Sequence, residues 1–156
     1  MRPEIIKEAR VLVVDDEGGN LRLLEKLLQK AGYAHVRTTT DAREVVAIFD
    51  EFAPDLILLD LHMPEMDGFA VMEQLRPKIP EGTYLPILVL TADITPEAKR
   101  RALLVGAKDF LTKPFDSFEA MLRVWNLLET RFLYLELQRQ LQQPSRARLE
   151  QSAAET

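Results

Sequence analysis

The chain contains no cysteine, which excludes disulfide bonds and thiolate zinc sites. It also lacks an excess of basic residues, because 20 Lys and Arg stand against 25 Asp and Glu, for a formal net charge of −5. Direct nucleic-acid binding needs a clustered basic surface and is not expected. No apolar run approaches the roughly 20 residues that span a bilayer, and charges occupy the N-terminus where a signal sequence is apolar. We therefore expect a cytoplasmic protein without membrane contact.

The chain does have a regular alternation of short apolar runs and helical patterns. Its 156 residues are enough for one domain with a sizeable core. Strands are predicted at 11–14, 34–38, 56–59, 86–91 and 108–111. An amphipathic helical pattern follows each of them. This alternation predicts an α/β fold, a five-stranded doubly wound parallel sheet of the flavodoxin-like order 2-1-3-4-5 with an extended C-terminal helix.

Local signals indicate where several of these helices begin. Gly18–Asn20 is expected to form a loose turn before the first helix. Asp41 and Glu44 have the spacing of a capping box. Asp116 and Glu119 repeat that spacing before the last helix.

Polar side chains follow four of the predicted strands at their carboxyl ends, the edge where open α/β sheets bind ligands. They are Asp15, Asp16, Asp60, Thr91 and Lys113. Three neighbouring carboxylates repel one another unless a cation offsets their charge, and oxygen ligands at an open edge suit Mg²⁺. A bound Mg²⁺ and Lys113 would stabilise charge on a transferring phosphoryl group, and Thr91 could donate a hydrogen bond to it. Asp60 is then the candidate nucleophile.

Four segments at these positions resemble the receiver domain of two-component response regulators. They are Val13-Val14-Asp15-Asp16-Glu17, Asp60-Leu61-His62-Met63-Pro64-Glu65-Met66-Asp67-Gly68, Leu90-Thr91-Ala92 and Lys113-Pro114-Phe115. Four motifs in order, each in the appropriate loop, make a specific match that covers residues 9 to 130. The resemblance implies a non-enzymatic signalling domain that catalyses only its own Mg²⁺-dependent phosphorylation and dephosphorylation.

The resemblance also assigns roles. Asp60 is the implied phosphoacceptor, which takes its phosphoryl group from a sensor histidine kinase or phosphotransfer protein in a phosphorelay. Asp15, Asp16 and Asp60 are the implied Mg²⁺ ligands, together with the backbone carbonyl of His62. Thr91 is the implied switch hydroxyl and Lys113 the residue that pairs with the phosphoryl group. The Lys113-Pro114 bond matches one that is commonly cis in the family.

Two features sit where the family varies. The switch aromatic is Phe110 here rather than the more common Tyr, so it has no hydroxyl to bond in its outward rotamer. The side chains of His62 and Asp93 lie two residues beyond Asp60 and Thr91, at positions that influence the lifetime of the phosphoryl group in the family. We hypothesise that they modulate water attack on it.

The C-terminal segment keeps helical spacing from Met121 to Leu141, past the usual end of the family's last helix. Two apolar stripes run along it, Trp125, Leu128, Phe132 and Leu135 in one, and Tyr134, Leu137 and Leu141 in the other. We predict a receiver domain at 1–130, a helical extension or linker at 131–143 and a polar, disordered tail at 144–156. The stripes favour a short parallel coiled coil in a homodimer. The alternative is a helix folded back on its own domain.

The extension is similar to the linker helix that follows receivers joined to HD-GYP-type cyclic-dinucleotide phosphodiesterases, which implies a longer regulator cut before its output. The alternative is a stand-alone receiver that acts by binding partners. Two other functions keep the same residues: a Mg²⁺-dependent phosphatase with an aspartate nucleophile, and a receiver-like interaction module that is not phosphorylated. A haloacid-dehalogenase-type phosphatase needs its nucleophile on the first strand and a second acid two residues later. Here Asp60 follows the third predicted strand, and His62 stands two residues on.

Overall fold

The computed structural model describes residues 2–93 and 95–142. In chain order the elements are α1 (Pro3–Lys7), β1 (Arg10–Val14), α2 (Gly18–Lys30), β2 (His35–Thr39), α3 (Val45–Phe52), β3 (Leu56–Asp60), α4 (Gly68–Leu75), β4 (Ile87–Thr91), α5 (Pro96–Val105), β5 (Asp109–Thr112) and α6 (Ser117–Gln142). The five strands are parallel and lie in the order β2-β1-β3-β4-β5. The predicted α/β fold and strand order are confirmed.

The core has two halves, one on each face of the sheet. Helices α1, α2 and α6 cover one face, and α3, α4 and α5 cover the other. Strand β3 is central, and all five of its residues are buried. Because both faces of β3 are covered, its side chains are apolar on both sides, which explains the unbroken run in the sequence.

Helix α2 begins earlier than predicted. Gly18 and Gly19 belong to its first turn, with Glu17 as N-cap, rather than to a loop before it. The side-chain amide of Asn20 donates to the Glu17 carboxylate at 2.9 Å, and this contact supports the early start. The first N–H groups of a helix have no intrahelical acceptor, so glycine weakens that turn less than it would the helix interior.

The capping box predicted at the start of α3 is wrong. Asp41 does accept a hydrogen bond from the Arg43 amide at 2.9 Å, but it caps a 3₁₀ turn, Ala42–Glu44, which precedes α3. The Glu44 carboxylate accepts from the Thr39 hydroxyl at 2.9 Å, and the Asp41 amide donates to that same hydroxyl oxygen at 3.1 Å. The Thr39 hydroxyl therefore replaces the contact between the Glu44 side chain and the Asp41 amide that a capping box requires.

Asp116 caps α6, as the sequence predicts. Its Oδ1 accepts hydrogen bonds from the amides of Phe118 at 2.7 Å and Glu119 at 3.2 Å. The Glu119 carboxylate pairs with Arg123, one turn further on, at 3.0 Å. Only the forward half of that capping pair forms.

The two ends of the described chain differ from expectation. Helix α1 was not anticipated, although Pro3 at its first position is a typical start signal. Helix α6 is continuous to Gln142 and crosses the predicted boundary at residue 130 without a break. The division of the chain there stays a prediction, and the predicted tail at 144–156 lies outside the described residues. In 2–93 and 95–142, no helix combines the length and apolar character needed to cross a membrane.

Candidate functional site

Three carboxylates meet at the carboxyl edge of the sheet. Asp15 directly follows β1, and Asp60 is the last residue of β3. One oxygen each from Asp15, Asp16 and Asp60 lies within 4.8 Å of the others. Asp15 is fully buried and Asp60 is 4% exposed. Parallel neighbouring strands thus bring together residues that are far apart in the chain, as the sequence order suggested.

Lys113 reaches this cluster from the loop after β5. Its Nζ lies 2.9 Å from Asp15 Oδ2 and 3.4 Å from Asp60 Oδ2. The backbone amide of Lys113 donates to the Thr91 carbonyl at 2.9 Å, which fixes the start of the loop beside β4. The Lys113-Pro114 peptide bond is cis, as the resemblance implied. One ammonium group therefore serves two carboxylates.

Proton affinities in the cluster are shifted by burial and charge. Burial, followed by the negative charge of Asp15, raises the pKa of Asp60 to about 7, while the Lys113 ammonium opposes the rise. Burial on its own would lower the pKa of Lys113, but its hydrogen bond to Asp15 and the charge of Asp60 raise it above its usual value. Lys113 therefore stays charged, and the described cluster holds more negative than positive charge.

The turn after Asp60 is built around a glycine. The Gly68 amide donates to the Leu61 carbonyl at 2.9 Å and draws the loop back onto β3. A Cβ on Gly68 would lie 2.6 Å from the Asp60 carbonyl oxygen and 2.9 Å from Leu61 Cα, closer than real Cβ atoms come to backbone. In the sequence this residue stands out only as the last one of the receiver-like segment that begins at Asp60. The structure shows that no side chain fits between it and Asp60.

Thr91 lies on β4, next to the strand of Asp60, and Phe110 lies on β5, next to β4. Thr91 ends β4, is 1% exposed, and accepts a hydrogen bond from the Asp93 amide at 2.9 Å on its hydroxyl oxygen. Phe110 pairs with Val89 across β4 and β5 and packs, partly buried, against the core half under α4 and α5. Thr91 thus stands between Asp60 and Phe110 in the strand order, and Phe110 is within the sheet rather than at its carboxyl edge.

His62 and Asp93 meet above the site. The His62 Nε2 lies 3.8 Å from Asp93 Oδ2, with both side chains open to solvent, and the His62 amide donates to Asp60 Oδ1 at 3.3 Å. Hydrogen bonds to the Thr95 amide and side chain lower the pKa of the Asp93 carboxyl. An anionic Asp93 therefore faces the His62 imidazole.

A groove lies beside the carboxylate cluster, between α2 and the loop after β5. Its volume is about 400 Å³. It is lined by Glu17, Asn20, Leu23, Ala92, Lys113, Pro114 and Phe115. Leu23 is 46% exposed although it lies on a helix that buries Leu21, Leu24 and Leu28. Sequence reasoning missed this groove, and the one signal was an extra leucine in α2 off the buried stripe.

Comparison with known proteins identifies relatives of this chain. A family model described as the response regulator receiver domain matches residues 11–124. The sensory/regulatory protein RpfC of Xanthomonas campestris is 41% identical over 110 residues, which are 70% of this chain and 15% of that protein. The response regulator PleD of Caulobacter vibrioides is 40% identical over 129 residues, 83% of this chain and 28% of that protein. This chain thus spans less than a third of either relative.

One solved structure is matched over almost the whole of its own length. The chemotaxis protein CheY4 of Vibrio cholerae has a TM-score of 0.67 and 36% sequence identity. The match covers 74% of this chain and 98% of that one. The shared region is therefore nearly all of that CheY4 chain.

Proposed function

Because this chain belongs to the response regulator receiver domain family and so acts as a phosphoryl acceptor in two-component signalling, we propose that Asp60 is the residue that accepts the phosphoryl group. The observation that carries the proposal is the position of Asp60 at the end of the central strand, within reach of both an acidic pair and Lys113. The Asp60 carboxylate accepts a hydrogen bond from the His62 amide, and Gly68 lets the following loop pack against the Asp60 backbone carbonyl.

The donor set fits a magnesium ion. Three carboxylates supply hard oxygen ligands within 4.8 Å of one another, and their negative charge exceeds what Lys113 offsets. We propose that Asp15, Asp16, Asp60 and the backbone carbonyl of His62 hold Mg²⁺. When bound, Mg²⁺ supplies positive charge that neutralises the oxygens of the transferring phosphoryl group.

The chain's own residues perform the rest of the transfer. An Asp60 oxygen attacks the phosphorus of a phosphohistidine donor, a P–O bond forms, and the P–N bond breaks. The donor imidazole keeps the bonding electrons and takes up a proton. Lys113 Nζ, already 3.4 Å from Asp60, stabilises the charge on the phosphoryl oxygens, and the Thr91 hydroxyl donates to one of them.

The switch follows from the strand order. In the unphosphorylated chain the Thr91 hydroxyl oxygen accepts a hydrogen bond from the Asp93 amide. We infer that a phosphoryl group on Asp60 draws that hydroxyl inward and that Phe110, on the next strand, follows into the space it leaves. Phosphorylation then shifts the population of two arrangements of β4, β5 and the helices that flank them.

His62 and Asp93 are proposed to set the lifetime of the phosphoryl group. Their side chains lie 3.8 Å apart, two residues beyond Asp60 and Thr91, and we propose that they restrict the path by which water reaches Asp60. His62→Ala opens that path, so dephosphorylation becomes faster. Equal dephosphorylation rates in the parent and His62→Ala would remove this role.

The groove lined by Leu23 is proposed to receive the histidine kinase or phosphotransfer protein. Its lining combines apolar residues with Lys113, whose Nζ lies 3.4 Å from Asp60 Oδ2, and a donor that places a histidine on Asp60 requires a surface close to that residue. Leu23→Glu should slow transfer from a phosphorylated donor protein and leave phosphorylation by acetyl phosphate unchanged, because acetyl phosphate needs no docking surface. Slowing of both reactions would place the defect in the site itself.

The end of α6 is proposed to carry the output. Leu137 and Leu141 are 54% and 70% exposed, which leaves these two leucines of the second predicted stripe open for a homodimer contact. The continuous helix also suits a linker to an output domain of the HD-GYP type. Leu137→Glu should shift light-scattering mass toward the monomer if the parent dimerises through this stripe, and a monomeric parent would remove the homodimer proposal.

Intact mass after incubation with acetyl phosphate and Mg²⁺ tests the central proposal. The parent should gain one phosphoryl group, and Asp60→Asn should gain none. Asp67→Asn is the matched control, because Asp67 lies in the same loop and an asparagine there can replace its cap on the Ala70 amide. Steady phosphate release without mass gain would favour the phosphatase, and neither gain nor release would favour the interaction module.

A further inference from the structure

Two segments outside residues 11–124 pack against each other at the amino edge of the sheet, opposite Asp60. The first is α1, and the second is the part of α6 from residue 131 to 142, here called the extension. Ile6 of α1 is fully buried in the same core half as Leu128 of α6. Phe132 of the extension packs on that half as well.

Lys7 ties α1 to both neighbouring helices. Its Nζ donates to the Ala31 carbonyl at the carboxyl end of α2, where a helix favours a cation. The same ammonium lies 4.3 Å from the Tyr33 ring centroid and 5.5 Å from that of Trp125 in α6. One side chain thus joins α1, the end of α2 and α6.

The extension is anchored to the strand edge by Arg131. Its Nη1 donates to the Tyr84 carbonyl at 3.0 Å, and its Nη2 lies 3.2 Å from Asp55 Oδ1. Both side chains of this pair are mostly buried, Arg131 at 12% and Asp55 at 16% exposure. Asp55 Oδ2 in turn accepts from the Arg10 amide at 2.9 Å, so the same carboxylate links the first residue of β1 to α6.

Further contacts follow along the extension. The Tyr134 ring stacks on Tyr84 with centroids 5.5 Å apart, and the Gln138 side-chain amide donates to the Gly82 carbonyl at 2.8 Å. Residues 131, 134 and 138 thus all hold the segment that leads into β4. The extension past residue 130 therefore lies along the body instead of projecting freely from it.

We propose that the Arg131–Asp55 pair, together with Lys7 over Trp125 just before the extension, forms a clamp that fixes the extension against the amino edge of the sheet, so that receiver body and extension move as one rigid unit. The clamp is a feature of the unphosphorylated structure and does not depend on the proposed function. Only the signal that the extension would transmit rests on the proposed phosphorylation of Asp60. Its buried, charged contacts have fixed geometry, unlike the exposed apolar stripe of Leu137 and Leu141. Output direction is then set by contacts that Lys7 and Arg131, both outside residues 11–124, make with the receiver body.

Distance measurement between two spin labels tests the clamp directly. Because the chain has no cysteine, Leu141→Cys on the extension and Lys26→Cys on α2 introduce the only two thiols. Without a phosphoryl donor, the labelled parent should give one narrow distance distribution. A broad distribution in the parent would overturn the proposal.

Variants in the clamp should lose the narrow peak. Arg131→Gln and Asp55→Asn should each broaden the distribution, and the double variant should broaden it no further, since the two residues share one contact. The asparagine introduced by Asp55→Asn retains an acceptor for the Arg10 amide. Lys7→Met keeps the alkyl chain, loses the charge and should broaden the distribution less. Arg139→Gln is the control, because Arg139 pairs with Glu136 within the same helix.

Two further measurements distinguish loss of the clamp from loss of folding and from the effect of phosphorylation. If Arg131→Gln unfolds, Tyr134→Leu removes the stack on Tyr84 at a half-exposed position and should broaden the distribution in its place. Unchanged distributions in all folded clamp variants would overturn the proposal. After acetyl phosphate, the parent's peak can move but should stay narrow, and broadening would contradict the rigid unit. Failure to gain a phosphoryl group bears on the proposed function alone.

Discussion

Replacing Asp60 by asparagine should stabilise the metal-free protein at neutral to alkaline pH. The folded state raises the pKa of Asp60 from 3.8 to about 7, chiefly through burial and secondly through Asp15. Ionised Asp60 is thus disfavoured in the folded chain, and the parent loses stability as pH rises from about 4 through about 7. The asparagine of the variant has no charge to bury and keeps an oxygen for the His62 amide, so the variant's stability should lack this decline.

The magnitude follows from the shift. About three pKa units at roughly 1.36 kcal/mol each give a ceiling near 4 kcal/mol at pH 8. Water at the open edge of the sheet reduces the cost of the buried charge, so we expect a gain of about 1–3 kcal/mol for Asp60→Asn at pH 8 and almost none at pH 4.

Urea unfolding in EDTA, followed by the single tryptophan, measures this difference. Trp125 is partly buried against the core and reports unfolding of α6. Added Mg²⁺ should stabilise the parent and not Asp60→Asn, because a ligand that binds only the folded state shifts the equilibrium toward it. The control Asp67→Asn should follow the parent at every pH. The reasoning is refuted if Asp60→Asn is no more stable than the parent at pH 8 in EDTA.

Three further predictions test other parts of the structure. Gly68→Ala should lower the free energy of unfolding by about 1–3 kcal/mol and slow phosphorylation, because the added Cβ would overlap the Asp60 carbonyl. An unchanged urea midpoint would mean that the loop can shift to accept the methyl group without loss of stability. Lys113→Met should lose about 1–3 kcal/mol in EDTA and recover part of it in Mg²⁺, since two carboxylates lose their partner; equal losses in both buffers would assign its role to packing. Ile6→Ala should lower the free energy of unfolding by about 2–4 kcal/mol, because it leaves a cavity under α6. The control Ile5→Ala, at a half-exposed position, should lower it by under about 0.5 kcal/mol. Similar losses of stability in the two variants would contradict the packing of α1.

Parts of the fold that depend on local pattern could be predicted from the sequence. Strand β3 needs apolar residues on both faces, so its run identified a central strand, and the carboxylate at its end marked the ligand-binding edge. Asp116 was correctly predicted as a cap because a cap acts within three residues. The capping box at Asp41 failed because Thr39, on the preceding strand, competed for the same groups.

The apolar stripes of α6 show where such reasoning ends. Periodicity revealed two stripes but could not say which one faces the core. Leu128 and Phe132 of the first stripe pack on the domain, whereas Leu137 and Leu141 of the second stay exposed. The choice is made by α1 and by the Arg131–Asp55 pair, whose partners lie 76 positions apart.

By itself the sequence determined where the strands lie along the chain, which acidic residues follow them and the position of Asp60, because apolar runs and their terminal side chains follow from short-range composition. Only the tertiary structure decided the rest. It placed Lys113 between Asp15 and Asp60, showed that Gly68 has no room for a side chain, and laid the extension of α6 along the amino edge. These contacts join residues far apart in the chain, and their geometry depends on how the elements pack rather than on any local pattern.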